Sequence, residues 1–241
     1  MDMDRKDIYD AVWKRRSVRK YLDRRIEGDK IEALTEAVRS LNGASGLTME
    51  FVEDSDSFHS IKTFRFKNVR SVIVLKGKTD DPDLYEKCGY YGEQIVLEAT
   101  SLGLGTCWVA LTFNKKSKSL NIGADEEMVC VVSVGYGAEA MAEPTSVPDA
   151  PHRRTKSVSD FLGGGTDAPD WVKAAVKSVQ FAPTAMNSQK ARFRYAGGAL
   201  TVEIPPGRLN MVDLGISKLH FELAAGGRFP LGTPSEFAKD G

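Results

Sequence analysis

AAVKSVQFAPTAMNSQKARFRY, residues 174–195, packs three elements into one short stretch. It begins with apolar residues at helical spacing, passes through a loop of small and amide-bearing residues, and ends in a strand-like run. The same order occurs earlier, in LTEAVRSLNGASGLTMEFV, residues 34–52. A second pair supports the first: GEQIVLEATSLG (92–103) parallels ISKLHFELAAGG (216–227), with Glu98 opposite Glu222. Amphipathic helices resemble one another by chance, but here the order of elements repeats along with the residues. The chain reads as an internal duplication whose second copy is the shorter.

The remaining pattern fits around these stretches. Residues 7–15 read as a helix capped by Asp7, and 29–41 as a second helix ended by Asn42-Gly43. The RRSVRKYLD segment between them turns the chain outward. Strands are expected at 49–53, 69–77 and 128–137, and helices at 85–102, 169–181 and 211–227. Gly197-Gly198 marks the two-residue turn of a hairpin. Residues 138–169, with Pro144, Pro148, Pro151 and Gly163-Gly164-Gly165, read as an irregular connector with little core of its own.

Composition narrows the function. The 241 residues carry 33 basic and 33 acidic side chains, so no global field favours nucleic acid or an anionic membrane. Any anion site must be local. Cys88, Cys107 and Cys130 lack CxxC spacing, and His59, His152 and His220 are scattered, which argues against disulfides and metal. The N-terminus is charged and no run approaches a membrane span, so a soluble cytoplasmic protein is expected.

Two motifs carry chemistry. RRSVR, Arg15 to Arg19, gathers Arg15, Arg16, Ser17 and Arg19, whose planar guanidinium forks match phosphate oxygens. By itself it reads first as a solvated basic patch at a helix C-terminus. APTAMNSQ, Ala182 to Gln189, offers a stiffening Pro183, small residues for close backbone approach, and the donor–acceptor amides of Asn187 and Gln189. By itself it reads first as the start of a short helix capped by Thr184. Together the motifs suggest a nucleotide-like cofactor with a phosphate and a flat, polar-edged ring.

With these residues in view, the chain resembles the nitroreductase superfamily of FMN-dependent oxidoreductases. RRSVRKYLDRRI is similar to its N-terminal signature and APTAMNSQKARF to its asparagine-glutamine loop. GYYGEQIVLEATSLGLGTCWV and MVCVVSVGYG resemble the helix and strands near the flavin. Two departures stand out: Thr184 replaces the usual serine, and Lys190 replaces the proline after the glutamine. In addition, the asparagine loop is intact only in the second half, LNGASGLTM (41–49) having lost it.

The resemblance implies an α+β, nitroreductase-like fold, a mixed and mainly antiparallel sheet flanked by helices. Its two tandem halves, 1–160 and 161–241, would form an intramolecular pseudo-dimer with one flavin per chain, alone or as a weak homo-oligomer. It implies that Arg15, Arg16, Ser17 and Arg19 hold the FMN phosphate and ribityl chain, with a further contact from Arg154 or Lys156. Pro183, Thr184, Ala185 and Asn187 would meet the ring, Gln189 would support them, and Ala110, Leu111 and Thr112 would line the reactive edge. Cys107, Trp108 and Phe113 could line the same region or simply pack in the core. Turnover would pass a hydride from NADH or NADPH through the flavin to a nitroaromatic, quinone or similar small acceptor, without a catalytic side-chain device or a metal. The alternative is a flavin-binding protein, or decayed duplicate, without turnover.

Overall fold

Valine and isoleucine crowd the runs SVIVLKGK and MVCVVSV, and β-branched side chains of this kind fit a buried pleated surface. Both runs become central strands. The computed structural model describes residues 5–58, 65–139, 151–163 and 167–240. The chain divides into two compact units, Met1–Leu84 with Ile95–Glu143, and Tyr85–Gln94 with Pro144–Gly241.

The first unit contains α1 (Arg5–Lys14), α2 (Gly28–Ser45), β1 (Glu50–Val52), β2 (Ser71–Lys78), the C-terminal part of α3 (Leu84–Ser101), β3 (Gly105–Val109) and β4 (Glu126–Gly135). The four strands pair antiparallel in the order β1-β2-β4-β3. Val72, Ile73, Val74 and Leu75 of β2 and Val131, Val132 and Val134 of β4 are buried. Each such side chain contributes roughly 1.5–3 kcal/mol on burial. Phe58, Phe113 and Leu120 extend this core, Phe113 stacking on Phe58 at 6.3 Å.

Two sequence expectations change here. The RRSVRKYLD segment does not turn outward but runs beside the sheet. Ser17 bridges Thr106 in parallel, the Val18 N–H donates to the Thr106 carbonyl at 2.8 Å, and Tyr21 bridges Gly137. Its apolar members drive this. Tyr21 is buried with its hydroxyl 2.7 Å from the Val18 carbonyl and 2.8 Å from Ser133 Oγ. Gly105 leaves the room: a Cβ there would lie 2.7 Å from Val18 Cγ2. The second change concerns α2, which runs through Asn42-Gly43 to Ser45. Gly46 ends it at φ 74°, while the Asn42 side chain bonds both the N–H and the carbonyl of Met49 at 2.9 Å.

The second unit takes Tyr85–Gln94 of α3 and adds α4 (Val158–Phe161), α5 (Asp170–Val179), β5 (Arg192–Ala196), β6 (Ala199–Glu203), α6 (Arg208–Ala225), β7 (Gly227–Arg228), β8 (Ser235–Glu236) and β9 (Ala238–Lys239). The sequence division at 160/161 falls inside this unit, within α4. β5 and β6 form the expected hairpin, with left-handed Gly197 and Gly198 at its turn, and β8 joins its edge. Phe193, Phe221, Phe229 and Phe237 form an aromatic core, with Phe193 stacked on Phe221 at 5.0 Å.

The connector is not featureless where it is described. Ser157 and Asp160 form a capping box that starts α4, and Phe161 is fully buried. Pro144, Pro148, Gly164 and Gly165 lie outside the described residues, as does His59.

Within this unit, α3 and α6 approach through glycine. A Cβ on Gly89 would collide with the Val212 carbonyl, and one on Gly215 with the Glu86 carbonyl. The two contacts are reciprocal, each joining a glycine to the residue three places before the other glycine. Buried polar groups around this crossing are paired, as their desolvation demands. Lys218 meets Glu86, His220 Nε2 lies 3.0 Å from Glu93, and the Tyr90 hydroxyl donates to Glu222 at 2.6 Å. Among the described residues, no helix is long and apolar enough to cross a membrane.

Candidate functional site

The arginine segment leaves α1 where the chain joins the sheet, and its side chains differ in exposure along that path. Arg15 is 3% exposed, Ser17 half-buried, and Arg16 and Arg19 exposed. Beneath them lies Cys107 of β3. Burial pushes its thiol pKa up, while the positive charges of Arg19 and Arg15 and a hydrogen bond with Ser17 pull it back. Cys107 and Phe113 belong to the buried core, so neither is presented to a ligand, and Trp108 is half-buried.

Ala110, Leu111 and Thr112 follow β3 at the end away from Ser17. Four residues of extended chain separate Thr106 from Ala110, about 13 Å. Ala110 is half-buried, Thr112 exposed, and Leu111 is 68% exposed, a large apolar side chain held in solvent.

The second unit builds the loop after α5. Thr184 is extended, and a 3-10 turn covers Ala185–Asn187. Met186, Asn187 and Gln189 all have left-handed backbones, with φ of 53°, 56° and 49°. Such residues cost of order 1–3 kcal/mol each and persist only where the surroundings over-determine them.

Here the surroundings do so from two sides. From the connector, Arg153 Nε donates to Asn187 Oδ1 at 2.9 Å, and its Nη2 donates to the carbonyls of Ala182 at 2.5 Å and Gln180 at 3.2 Å. Asn187 Nδ2 donates to the Arg154 carbonyl at 2.7 Å. Gln189 Oε1 accepts from the Thr155 hydroxyl and the Lys156 N–H, both at 2.8 Å. From α6, Asp213 accepts the Ala185 N–H at 2.8 Å and the Ser188 hydroxyl at 3.3 Å. The result presents Met186, 97% exposed, at the tip.

The expected site residues thus fall into two groups. Arg15, Arg16, Ser17 and Arg19 share the first unit with Ala110, Leu111 and Thr112. Pro183, Thr184, Ala185, Asn187 and Gln189 are bonded into the second unit together with the 154–156 segment. Pro183 and Gln189 are buried and shape the loop from within. The Asn187 amide is largely committed to Arg153, Arg154 and Gln189. Lys156 turns inward, its Nζ donating to the Gln189 carbonyl at 2.9 Å, and burial with the nearby Arg192 charge lowers its pKa. Arg154 offers the loop its carbonyl while its side chain stays exposed.

The residues sequence reasoning missed are Arg153 and Asp213. Arg153 lies in the same basic run as Arg154, and nothing in the run distinguishes the two. Asp213 leaves one signal, a lone carboxylate near the start of the apolar helix 211–227.

Over residues 7–225 the chain matches the family model described as "Putative TM nitroreductase". A solved structure titled "putative nitroreductase" from Thermotoga maritima shares the fold, at 22% identity and a TM-score of 0.64, over 98% of this chain and 94% of its own. Shorter similarities include a "Putative NADH dehydrogenase/NAD(P)H nitroreductase" from Bacteroides thetaiotaomicron, 22% identical over 59% of this chain and 92% of its own, TM-score 0.46. A "putative nitroreductase in complex with fmn" from Desulfovibrio desulfuricans is 17% identical over 59% of this chain and 92% of its own, TM-score 0.45. A comparison with curated proteins returned no match. The match across most of the sequence, on a frame of helices and antiparallel sheets, establishes that the chain belongs to this nitroreductase family of oxidoreductase enzymes.

Proposed function

We propose that the chain is an FMN-dependent oxidoreductase that uses NADH or NADPH to reduce a small acceptor such as a nitroaromatic or quinone. The observation that carries this reading is the 183–189 loop. Three left-handed, non-glycine residues and a fully exposed methionine are held in place by Arg153 and Asp213, as strain kept for a function would be. The donor chemistry fits FMN at both ends. Exposed Arg16 and Arg19 beside the Ser17 hydroxyl suit a phosphate, and an apolar tip beside polar backbone suits a flat, polar-edged ring. Leu111 gives the first unit a similar exposed apolar tip, on the other segment assigned to the ring.

In this reading Arg15, Arg16, Ser17 and Arg19 bind and orient the phosphate end, and Thr184, Ala185, Met186 and Asn187 present the ring-facing surface. Bound FMN supplies two-electron transfer between a reduced nicotinamide and the acceptor. The tandem-copy reading gains support from the reciprocal crossing of α3 and α6. It relates Gly89 to Gly215 and Glu86 to Val212 by one common offset, as a pseudo-twofold would.

The test is direct. Purified protein should be yellow, and NADH or NADPH should bleach it under anaerobic conditions. Bleaching separates turnover from flavin binding alone. Arg19→Ala should weaken FMN binding by about tenfold or more, since charge-assisted contacts contribute roughly 1.5–3 kcal/mol. Asn187→Ala should weaken it as well. A colourless protein that FMN titration cannot saturate refutes the reading.

A further inference from the structure

Asp213 sits in the second turn of α6 and is 2% exposed. Its neighbours along the helix turn their buried polar groups to other partners: Lys218 to Glu86 and the 230–232 segment, His220 to Glu93 and Ser178, Glu222 to Tyr90 and Phe229. Asp213 instead reaches the 183–189 loop. Oδ1 accepts the N–H of Ala185, the first residue of the 3-10 turn, and Oδ2 accepts the hydroxyl of Ser188, just after it. One carboxylate therefore grips the turn at both ends. Between them lie Met186 and Asn187, both left-handed, and neither a glycine.

We propose that Asp213 is the positioning residue of this loop: from inside α6 its carboxylate fixes the Ala185 N–H and the Ser188 hydroxyl, and so sets the turn that presents Met186 and Asn187. Its importance for the cofactor rests on the reading of this loop as the one facing the flavin ring. The carboxylate is an expensive way to brace a helix. Burial raises its pKa to about 6, against the pull of the Ala185 and Ser188 donors and of Lys190, the charged group facing it. Both of its acceptor bonds go to the loop, so its use here points to the loop.

The experiment compares wild type with Asp213→Ala and Asp213→Asn, all without cofactor and then under FMN titration. In Asp213→Ala, amide exchange at Ala185 should accelerate and FMN affinity should fall, each by about tenfold or more for a lost bond to a charged group. Asp213→Asn keeps an acceptor oxygen for the Ala185 N–H and should restore both. In the wild type the Ala185 amide resonance should titrate near pH 6, and in Asp213→Asn that titration should vanish. Unchanged exchange in Asp213→Ala, unchanged FMN affinity with a loosened loop, or a titration that persists in Asp213→Asn would each overturn the proposal. Should Asp213→Ala fail to fold, the titration in Asp213→Asn decides alone. If the wild type binds no FMN, the flavin reading fails, while exchange and titration still judge the clamp.

Discussion

Two loops occupy the same place in the order helix–loop–strand and are built in opposite ways. Between α2 and β1 the chain needs four residues; between α5 and β5 it uses twelve. The short loop is closed by α2 and by β2, whose Lys76 carbonyl accepts the Thr48 N–H at 3.1 Å. Gly46 supplies the one left-handed turn, Asn42 bonds both backbone groups of Met49, and Leu47 and Met49 are buried. The long loop is satisfied from outside, by Arg153 of the connector and Asp213 of α6, and places a methionine in solvent. A short loop closed against its adjoining helix and sheet has little left to offer a ligand. A loop propped by distant elements can hold an unfavourable backbone and present what it carries. That difference underlies the proposal of one flavin per chain.

The strongest way to break the comparison is to remove the frame behind the propped loop. Gly215→Val would drive a side chain into the Glu86 backbone and should cost about 3 kcal/mol or more, since a clash with backbone relaxes poorly. Denaturant unfolding measures this, and a variant as stable as wild type would show that the close crossing does not exist. Next come the braces themselves. Arg153→Ala removes bonds to Asn187, Ala182 and Gln180 and should lower stability by about 1–3 kcal/mol together with FMN affinity. Its neighbour Arg154→Ala should stay within about 0.5 kcal/mol, as exposed substitutions do. The matching change in the closed loop, Asn42→Ala, should cost about 1–2 kcal/mol and leave FMN affinity unchanged. If Asn42→Ala weakens FMN as much as Arg153→Ala, the two loops are not opposed in function.

How far the sequence reached follows from what each signal depends on. The hairpin at Gly197-Gly198 and the strands of Val72–Leu75 and Val131–Val134 were legible because turn chemistry and β-branched runs act locally. Asn42-Gly43 misled because the asparagine serves Met49, seven residues on, and the helix continues through both. The path of RRSVRKYLD beside β3 depends on the space above Gly105 and Gly135, which no local pattern records. At the candidate site the residue types were readable, but not their directions. Lys156 points inward, Pro183 is buried, and the amide of Asn187 is engaged by an arginine 34 positions away. The helix parallel sets Glu98 against Glu222, while the close contacts of the two helices join Gly89 to Val212 and Gly215 to Glu86.

The smallest and sharpest test asks whether these two glutamates behave alike, because their surroundings differ. Both are pushed toward the neutral form by burial, Glu98 to about 7. Glu222, however, accepts hydrogen bonds from the Tyr90 hydroxyl and the Phe229 N–H, at 2.6 and 2.7 Å. For Glu98, a folded-state pKa raised above the unfolded value means a contribution that is full below the unfolded pKa of about 4.5 and lost as pH rises through about 7. Glu98→Gln should therefore gain stability relative to wild type between pH 5 and pH 8. Because the side chain keeps partial contact with solvent, screening should hold that gain below about 1 kcal/mol. Glu222→Gln turns an acceptor of two donors into an amide and should lose stability at both pH values. Melting curves at pH 5 and 8 separate the cases. Parallel behaviour of the two variants would show that the two hydrogen bonds to Glu222 do not set it apart from Glu98.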